Sequence, residues 1–454
     1  MSESSDSGNW SARMFGDAAM SALFSDRARL QRMLDFEAAL VRAEARCAVV
    51  PQSAVAVIAT HCRAEAFDLD AIGDDARLAG NPAIPMVKRL TAAVKADDAE
   101  AARWVHWGAT SQDAIDTGLV LQLRDALALI DDGCAALVDV LARLANEHRA
   151  SLMAGRTWLQ QAVPVTFGLK CAGWLDGLLR NRQRIAELRP RLLVLQFGGA
   201  AGTLAALGDR GLDVAKVLSE ELALSLPATP WHSARDRIAE AGSVVGLLAG
   251  SLGKIARDLS LMMQTEVAEV FEPAAEGKGG SSTMPHKRNP VGCSIVLANA
   301  VRVPGLVASL FAAMTQEHER GLGNWPAEWE TLPEIFRLAA GSLAVLTPTL
   351  AGLEVDTARM RENLDATRGL LFAERVTMAL AEAMGKPAAH HRLESLSRRV
   401  VAERRHLREL LAEDSQLSLL LSVKRLDELF DPAAALGVGD AFIDRVLAAA
   451  AQIN

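Results

Sequence analysis

The chain has no tyrosine, and aromatic residues make up only 4% of its 454 positions. Strands draw on aromatic and β-branched side chains, so this shortage beside abundant Ala and Leu points away from a β-rich protein. Its five cysteines (Cys47, Cys62, Cys134, Cys171 and Cys293) lie far apart, are odd in number and form no CxxC pair. A disulfide framework and a zinc ribbon are thereby disfavoured, and free thiols in a reducing cytoplasm expected. Nine histidines are scattered without an HExxH-like pattern, so neither a metal nor another cofactor is expected. No long basic run interrupts a net charge of −8, which counts against nucleic acid or an anionic membrane as partner. The opening MSESSDSGNW is polar and acidic, unlike a signal peptide. The longest weakly interrupted apolar run, 241–253, has 13 residues including six Gly or Ser. A membrane span needs about 20 apolar residues. A soluble, cytoplasmic protein is expected.

Half the residues are apolar, ample for a large core, and the length calls for more than one domain. In ARLQRMLDFEAALVRAEARCAVV, residues Leu30, Met33, Leu34, Phe36, Ala38, Leu40 and Val41 recur mostly at steps of three and four, marking an amphipathic helix. From about 110 the helical runs lengthen to 118–148, 161–188, 235–270, 291–319 and 332–353. The first carries Leu119, Leu123, Leu127, Ile130, Cys134, Leu137, Val138, Leu141 and Leu144. Small residues among the apolar ones suit a tightly packed bundle, and such broad apolar surfaces call for an oligomer. Beyond 356 the chain is more charged and its helices shorter. The division expected is 1–109, an N-terminal helical domain; 110–355, a central long-helix bundle; and 356–454, a small C-terminal helical domain. The class is all-α.

Gly- and Ser-rich interruptions separate the long runs. In GKGGSSTMPHKRNP (277–290), three glycines give a mobile loop, Ser281 and Ser282 give hydroxyls, and Lys287 and Arg288 give charge. By composition alone it reads as an anion-binding lid or an ordinary exposed loop. Its wording decides: GSSTMPHKRNP resembles GSSxMPxKxNP, a signature of the fumarase/aspartase superfamily, which includes argininosuccinate and adenylosuccinate lyases and a cycloisomerase branch. The resemblance implies a three-domain fumarase/aspartase-like fold around a central long-helix bundle. It also implies a homotetramer whose sites are shared between chains. Carried over by position, Ser281 would be the general base or acid at a carbon next to a carboxylate. Lys287 would stabilise the resulting carbanion, and Asn289 would hold substrate. A proton α to a carboxylate is weakly acidic, and its removal leaves a dianion that fixed donors and a cation must meet.

HWGATSQDAIDTG (106–118) resembles the superfamily's HxGxTSxDxxDT segment. Thr110, Ser111 and Gln112 would be neutral donors to a substrate carboxylate at a helix N-terminus. Alternatively, Thr110 or Ser111 caps that helix, with Asp113 in its first turn. His106 is either a carboxylate binder or an orienting residue. QFGGAAGT (196–203) resembles a supporting GGxxGT turn. In PWHSARDRIAE, His232 and Arg235 either reach substrate or form a solvated helix start. In QEHERGLGNWPAEWE, His318 and Arg320 are candidate ligands and Glu330 a candidate ion-pair partner.

GRTWLQQAVPVTFG (155–168) resembles GRTHxQxAxPxTFG, retaining Thr157 and Gln160 as substrate contacts but placing Trp158 where the superfamily carries a histidine. That histidine is linked to binding or protonating a poor leaving group, amine or hydroxide, a role worth about 10²–10⁴-fold. A carboxylate leaving group, with a conjugate acid of pKa about 4, departs unaided, and in reverse it attacks already ionised. The substitution therefore points to the lactone-forming cycloisomerase branch, which MLDFEAALVRAEA, QEHERGLGNWPAEWE and LFDPAAALGVGDAFIDRVL also resemble. Trp158 would be an apolar wall that curls a diene for ring closure, or else a core filler. An adenylosuccinate-lyase-like eliminase is the alternative, with a silent structural homologue third. The partner expected is a small tricarboxylate.

Overall fold

The computed structural model describes residues 10–453 except 275, 276, 278, 281–283 and 285. Among the described residues, helices dominate and four strands of 6, 7, 2 and 2 residues complete the regular structure. The chain is all-α, as the shortage of aromatics beside abundant Ala and Leu implies.

Six helices and two antiparallel strand pairs carry or support the candidate site residues. In chain order they are α1 (Asp26–Arg46), α2 (Ser111–Glu147), β1 (Leu152–Thr157), β2 (Gln160–Thr166), α3 (Phe167–Leu192), α4 (Asp236–Met262), β3 (Val270–Phe271), α5 (Val291–Ala313), α6 (Asn324–Ala351) and β4 (Glu354–Val355). The chain divides into two compact units. One takes the chain up to Cys134, then Asn181–Gly253 and Ile295–Val345; the other takes Ala135–Arg180, Lys254–Ser294 and the chain from Leu346 onward.

In the first unit, α1 starts where Ser25 accepts the Ala28 N–H and buries Leu30, Met33, Leu34, Phe36, Leu40 and Val41, as its periodicity predicts. Ala38 is only half-buried, and the acid beside it, Glu37, is buried instead. All nine apolar residues expected on α2 are buried, those up to Cys134 in this unit and Leu137, Val138, Leu141 and Leu144 in the other. Its Gly118 lies against the backbone of α1, where an added Cβ would sit 3.2 Å from Met33 N. Gly242 and Gly246 of α4 let Leu310 and Val307 of α5 approach, a Cβ there meeting them at 2.3 and 2.9 Å. Small residues thus set the helix spacing.

In the second unit the expected helix over 161–188 begins only at Phe167, because 160–166 forms a strand. β1 and β2 pair antiparallel from Leu152↔Thr166 to Thr157↔Gln160, with an irregularity between Ala154 and Arg156. Val163, Val165 and Thr166 favour strand, and the hairpin ends override the apparent helical period. β3 and β4 form a second short pair. A separate apolar cluster, including Leu380, Leu393, Leu396, Leu407, Leu410 and Leu426, organises the C-terminal helices.

The expectation that no segment is apolar enough for a membrane is corrected. By length and composition α4, α5 and α6 each qualify over an 18-residue stretch. A strict run breaks at each Gly, Ser or Pro, whereas the average over a stretch tolerates them. In α4 and α6 61% of that stretch is buried inside the chain, but in α5 only 22%. Val301 and Phe311 of α5 are exposed.

Candidate active site

The turn that leads into α2 is held by one carboxylate. Asp113, wholly buried, accepts Thr110 N–H (3.0 Å) and Gly199 N–H (2.9 Å) on Oδ2. Its Oδ1 accepts Gly198 N–H (3.0 Å), Gln196 Nε2 (3.2 Å) and His232 Nε2 (2.8 Å). Five donors satisfy the charge without solvent. HWGATSQD, QFGGAAGT and PWHSARD, far apart in sequence, thereby meet at one residue. Gly199 has φ +66 and leaves no room for a side chain: a Cβ would stand 2.9 Å from Gly108 O. The α2 start is therefore secured by Asp113 reaching back to Thr110 N–H, as in a capping box. The hydroxyls of Thr110 and Ser111, both partly exposed, have no hydrogen-bond partner among the described residues.

One helical turn on, Asp116 meets Arg235, whose Nη1 donates to Oδ2 at 2.7 Å and Nη2 to Oδ1 at 3.1 Å. The same guanidinium donates through Nε and Nη2 to Glu328, at 3.0 and 2.5 Å, and stacks 4.9 Å from the Trp231 ring. Trp325 Nε1 donates to Asp116 Oδ1 at 3.0 Å. Burial by itself would lower the pKa of Arg235, but the two carboxylates outweigh it and raise the pKa on balance. For Glu328, burial prevails over Arg235 and raises the carboxyl. His232 and Arg235 are thus both buried and bonded, not a solvated helix start. The ion-pair partner in QEHERGLGNWPAEWE is Glu328, two residues before the exposed Glu330.

Gln112 is drawn into this network. Its Nε2 donates to Asp116 Oδ2 (2.9 Å) and to His232 O (2.8 Å), while Oε1 accepts Arg320 Nε (3.0 Å). Both amide hydrogens are used, so the expected donation from Gln112 to a substrate carboxylate is corrected to an internal one. Arg320 also donates to Ala200 O at 3.1 Å, whereas His318 is exposed. His106, with φ +57, is partly exposed and places Nδ1 2.6 Å from Oε1 of the buried Glu37. Burial pulls the imidazole towards neutrality, but Glu37, with Asp113 beyond it, raises its pKa on balance.

The second unit supplies the remaining candidates in a contrasting setting. Thr157, Trp158, Leu159 and Gln160 form the exposed tip of the β1–β2 hairpin, and Trp158 is 98% exposed within this chain. The core-filler alternative for Trp158 is thereby overturned. Trp158 and Leu159 both have positive φ, +52 and +62, at positions where a two-residue hairpin turn favours Asn or Gly. Behind the tip, Arg156 donates to both oxygens of the buried Glu269, at 2.8 and 2.7 Å, and Asn363 adds a bond of 2.9 Å.

Ser281 and Ser282 lie outside the described residues. The C-terminal end of their loop is anchored by Arg288, which donates to both oxygens of Glu354 (2.8 and 2.7 Å) and to Glu272 O (2.7 Å). Its guanidinium also stands 4.9 Å from the Phe271 ring. Glu272 receives the N–H groups of Gly292 and Cys293 at 3.0 and 2.8 Å, capping α5. Lys287, exposed, and Asn289, partly exposed, flank this anchor, and Asn289 N–H donates to Gly279 O at 2.9 Å. Sequence reasoning missed Asp116, Glu37, Glu269 and Glu328 as organisers; the first alone carried a signal, as the Asp of the DT pair.

Comparison with known proteins agrees with these features. Residues 16–305 match a family model described as "Lyase", and residues 369–446 match one described as "Adenylosuccinate lyase C-terminus". A 3-carboxy-cis,cis-muconate cycloisomerase of Pseudomonas aeruginosa is 60% identical, the match covering 96% of this chain and 95% of that one. A protein of the same description from Bradyrhizobium diazoefficiens is 56% identical, covering 96% and 97%. The crystal structure of a 3-carboxy-cis,cis-muconate lactonizing enzyme from Pseudomonas putida superposes with a TM-score of 0.93 at 54% identity, covering 97% of this chain and 99% of that one. The long helices, the Ser loop and near full-length identity converge: the chain belongs to the fumarase/aspartase superfamily of lyases.

Proposed function

We propose that the chain is a cycloisomerase that converts 3-carboxy-cis,cis-muconate to 4-carboxymuconolactone. The carrying observation is 60% identity, across nearly the whole chain, to a protein of that activity. Trp158 in place of a histidine, presented bare at a hairpin tip, supports the same reading. One substrate carboxylate, already ionised, adds to the conjugated diene and closes the lactone ring, so no residue needs to activate it. What needs catalysis is proton delivery to the carbon α to another carboxylate.

Ser281 donates that proton in lactonisation and takes it back in reverse. Lys287 stabilises the aci-carboxylate that precedes protonation. Thr110 and Ser111, with hydroxyls uncommitted among the described residues, bind a carboxylate at the start of α2, where helix N–H groups add positive potential. His106, Thr157, Gln160 and Asn289 complete the polar contacts, and Trp158 forms an apolar wall that favours the curled diene. Gln112 acts on this site from behind, by ordering Arg320 and Asp116.

The same reading places the enzyme in the cytoplasm, in the protocatechuate branch of β-ketoadipate aromatic degradation, as a homotetramer with sites shared between chains. Free, buried cysteines suit a reducing compartment. The exposed apolar residues of α5 and the uncovered hairpin tip suit burial against further copies.

The test follows diene ultraviolet absorbance with 3-carboxymuconate, with adenylosuccinate and argininosuccinate run alongside. Loss of absorbance with the first alone is expected, and no change with it would sink the reading. Ser281→Ala should lower lactonisation by about 10²–10⁴-fold. Near wild-type turnover in that variant would remove Ser281 from the proton step.

A further inference from the structure

α1 carries two buried acids seven residues apart, Glu37 at 2% and Glu44 at 0% exposure. A helix that buries carboxyl groups must neutralise or pair them. Glu44 has neither oxygen bonded to any described residue. Glu37 has a partner, the Nδ1 of His106 at 2.6 Å, a short contact of the kind that charge assistance favours.

His106 is itself held in the left-handed backbone region, φ +57, which a non-glycine residue adopts only at a cost in strain. The turn persists because Glu37 grips the ring from α1, Asp113 grips Thr110 N–H from α2, and Gly199 closes against Gly108 O. With Nδ1 taken, Nε2 is the ring's one remaining hydrogen-bonding position, and it has no partner among the described residues. His106 stands in the same turn as the uncommitted hydroxyls of Thr110 and Ser111. The charged groups around it are Glu37 on α1 and Asp113 on α2, the latter already bonded to His232.

We propose that Glu37 is a positioning residue that orients His106 through Nδ1 and supplies its counter-charge, leaving Nε2 to donate to a substrate carboxylate. This rests on the cycloisomerase reading for its substrate. A buried carboxylate beside a neutral imidazole would be an unpaired anion, whereas the ion pair is satisfied internally. The imidazolium then meets a tricarboxylate with charge as well as a hydrogen bond. The pairing makes substrate binding, more than chemistry, sensitive to pH.

The experiment measures KM and kcat for 3-carboxymuconate from pH 6 to 9 in wild type, Glu37→Gln, Glu37→Asp and His106→Gln. In parallel, calorimetry follows the binding of tricarballylate, an unreactive tricarboxylate, over the same range. Without the Glu37 charge the imidazole deprotonates at lower pH. The KM gap between Glu37→Gln and wild type should widen from about threefold or less at pH 6 to tenfold or more at pH 8, one pH unit of displacement being tenfold. Tricarballylate affinity should shift in step, Glu37→Asp should recover most of the wild-type profile, and His106→Gln should bind weakly at all pH. A basic limb in Glu37→Gln that coincides with wild type, or a uniform loss of stability and kcat with the limb unmoved, would overturn the proposal. Absence of 3-carboxymuconate turnover in wild type would sink the cycloisomerase reading instead. The tricarballylate arm reads the Glu37 effect without any turnover.

Discussion

The turn before α2 and the tip of the β1–β2 hairpin both carry candidate site residues, yet they are built on opposite principles. The turn is fastened from beneath by buried charges: Asp113 with five donors, and Arg235 between Asp116 and Glu328. The tip carries its apolar residues in the open, on two consecutive positive-φ positions. The first arrangement fixes its polar groups, because moving any member leaves a buried charge unpaired. The second stores backbone strain and exposed apolar surface, which are tolerable where another surface completes them. Changes to Asp113, Asp116, Arg235 or Glu328 beneath the turn should therefore register chiefly in stability, and changes at the tip chiefly in activity.

The strongest way to break this contrast is Arg235→Met. It strands Asp116 and Glu328 without their cation and should cost about 3–5 kcal/mol in denaturant unfolding. A loss below about 1 kcal/mol would mean that the network is not what fastens the turn.

Glu44→Gln probes the same unit through pH. Burial, and then Glu37, push the Glu44 carboxyl up to about 9. Its folded pKa exceeds the unfolded one, so its contribution is complete below about pH 4.5 and lost as pH rises towards 9. Wild type should lose about 3 kcal/mol between pH 5 and 7.5 on this account, at 1.36 kcal/mol per pH unit. The glutamine variant should be flatter across that window. Parallel stability curves would refute a buried neutral acid at Glu44.

The smallest stability effect belongs to Trp158→His. At 98% exposure within this chain, the change should move monomer stability by no more than about 0.5 kcal/mol. Turnover of 3-carboxymuconate should nevertheless fall roughly 10–100-fold as positioning is lost. Adenylosuccinate and fumarate chemistry should stay absent. Gain of either would show that the residue at this position alone decides the reaction.

Much of the architecture was legible. The Leu spacing from 119 to 144 identified α2 because an apolar helix face repeats every three to four residues whatever it packs against. The Ser loop was legible as a string of residue types. The hairpin was not. Its turn is Trp-Leu where Asn-Gly would announce itself, so Gln161–Thr166 read as the start of α3. His232 and Arg235 were no easier to place: charged residues at a helix start usually face water, and nothing local reveals two carboxylates waiting to bury them.

Residue order by itself determined the helical class, the positions of the long helices and the chemical inventory of the Ser loop. These depend on local periodicity and residue type, which survive without knowledge of neighbours. Tertiary structure alone decided that Gln112 faces inward, that Glu328 and not Glu330 holds Arg235, and that Trp158 stands uncovered at a strained turn. Each is a question of which distant groups share a buried volume. The buried charges of Glu37 and Asp116 find partners 69 and 119 residues away in the chain, beyond the reach of any local pattern.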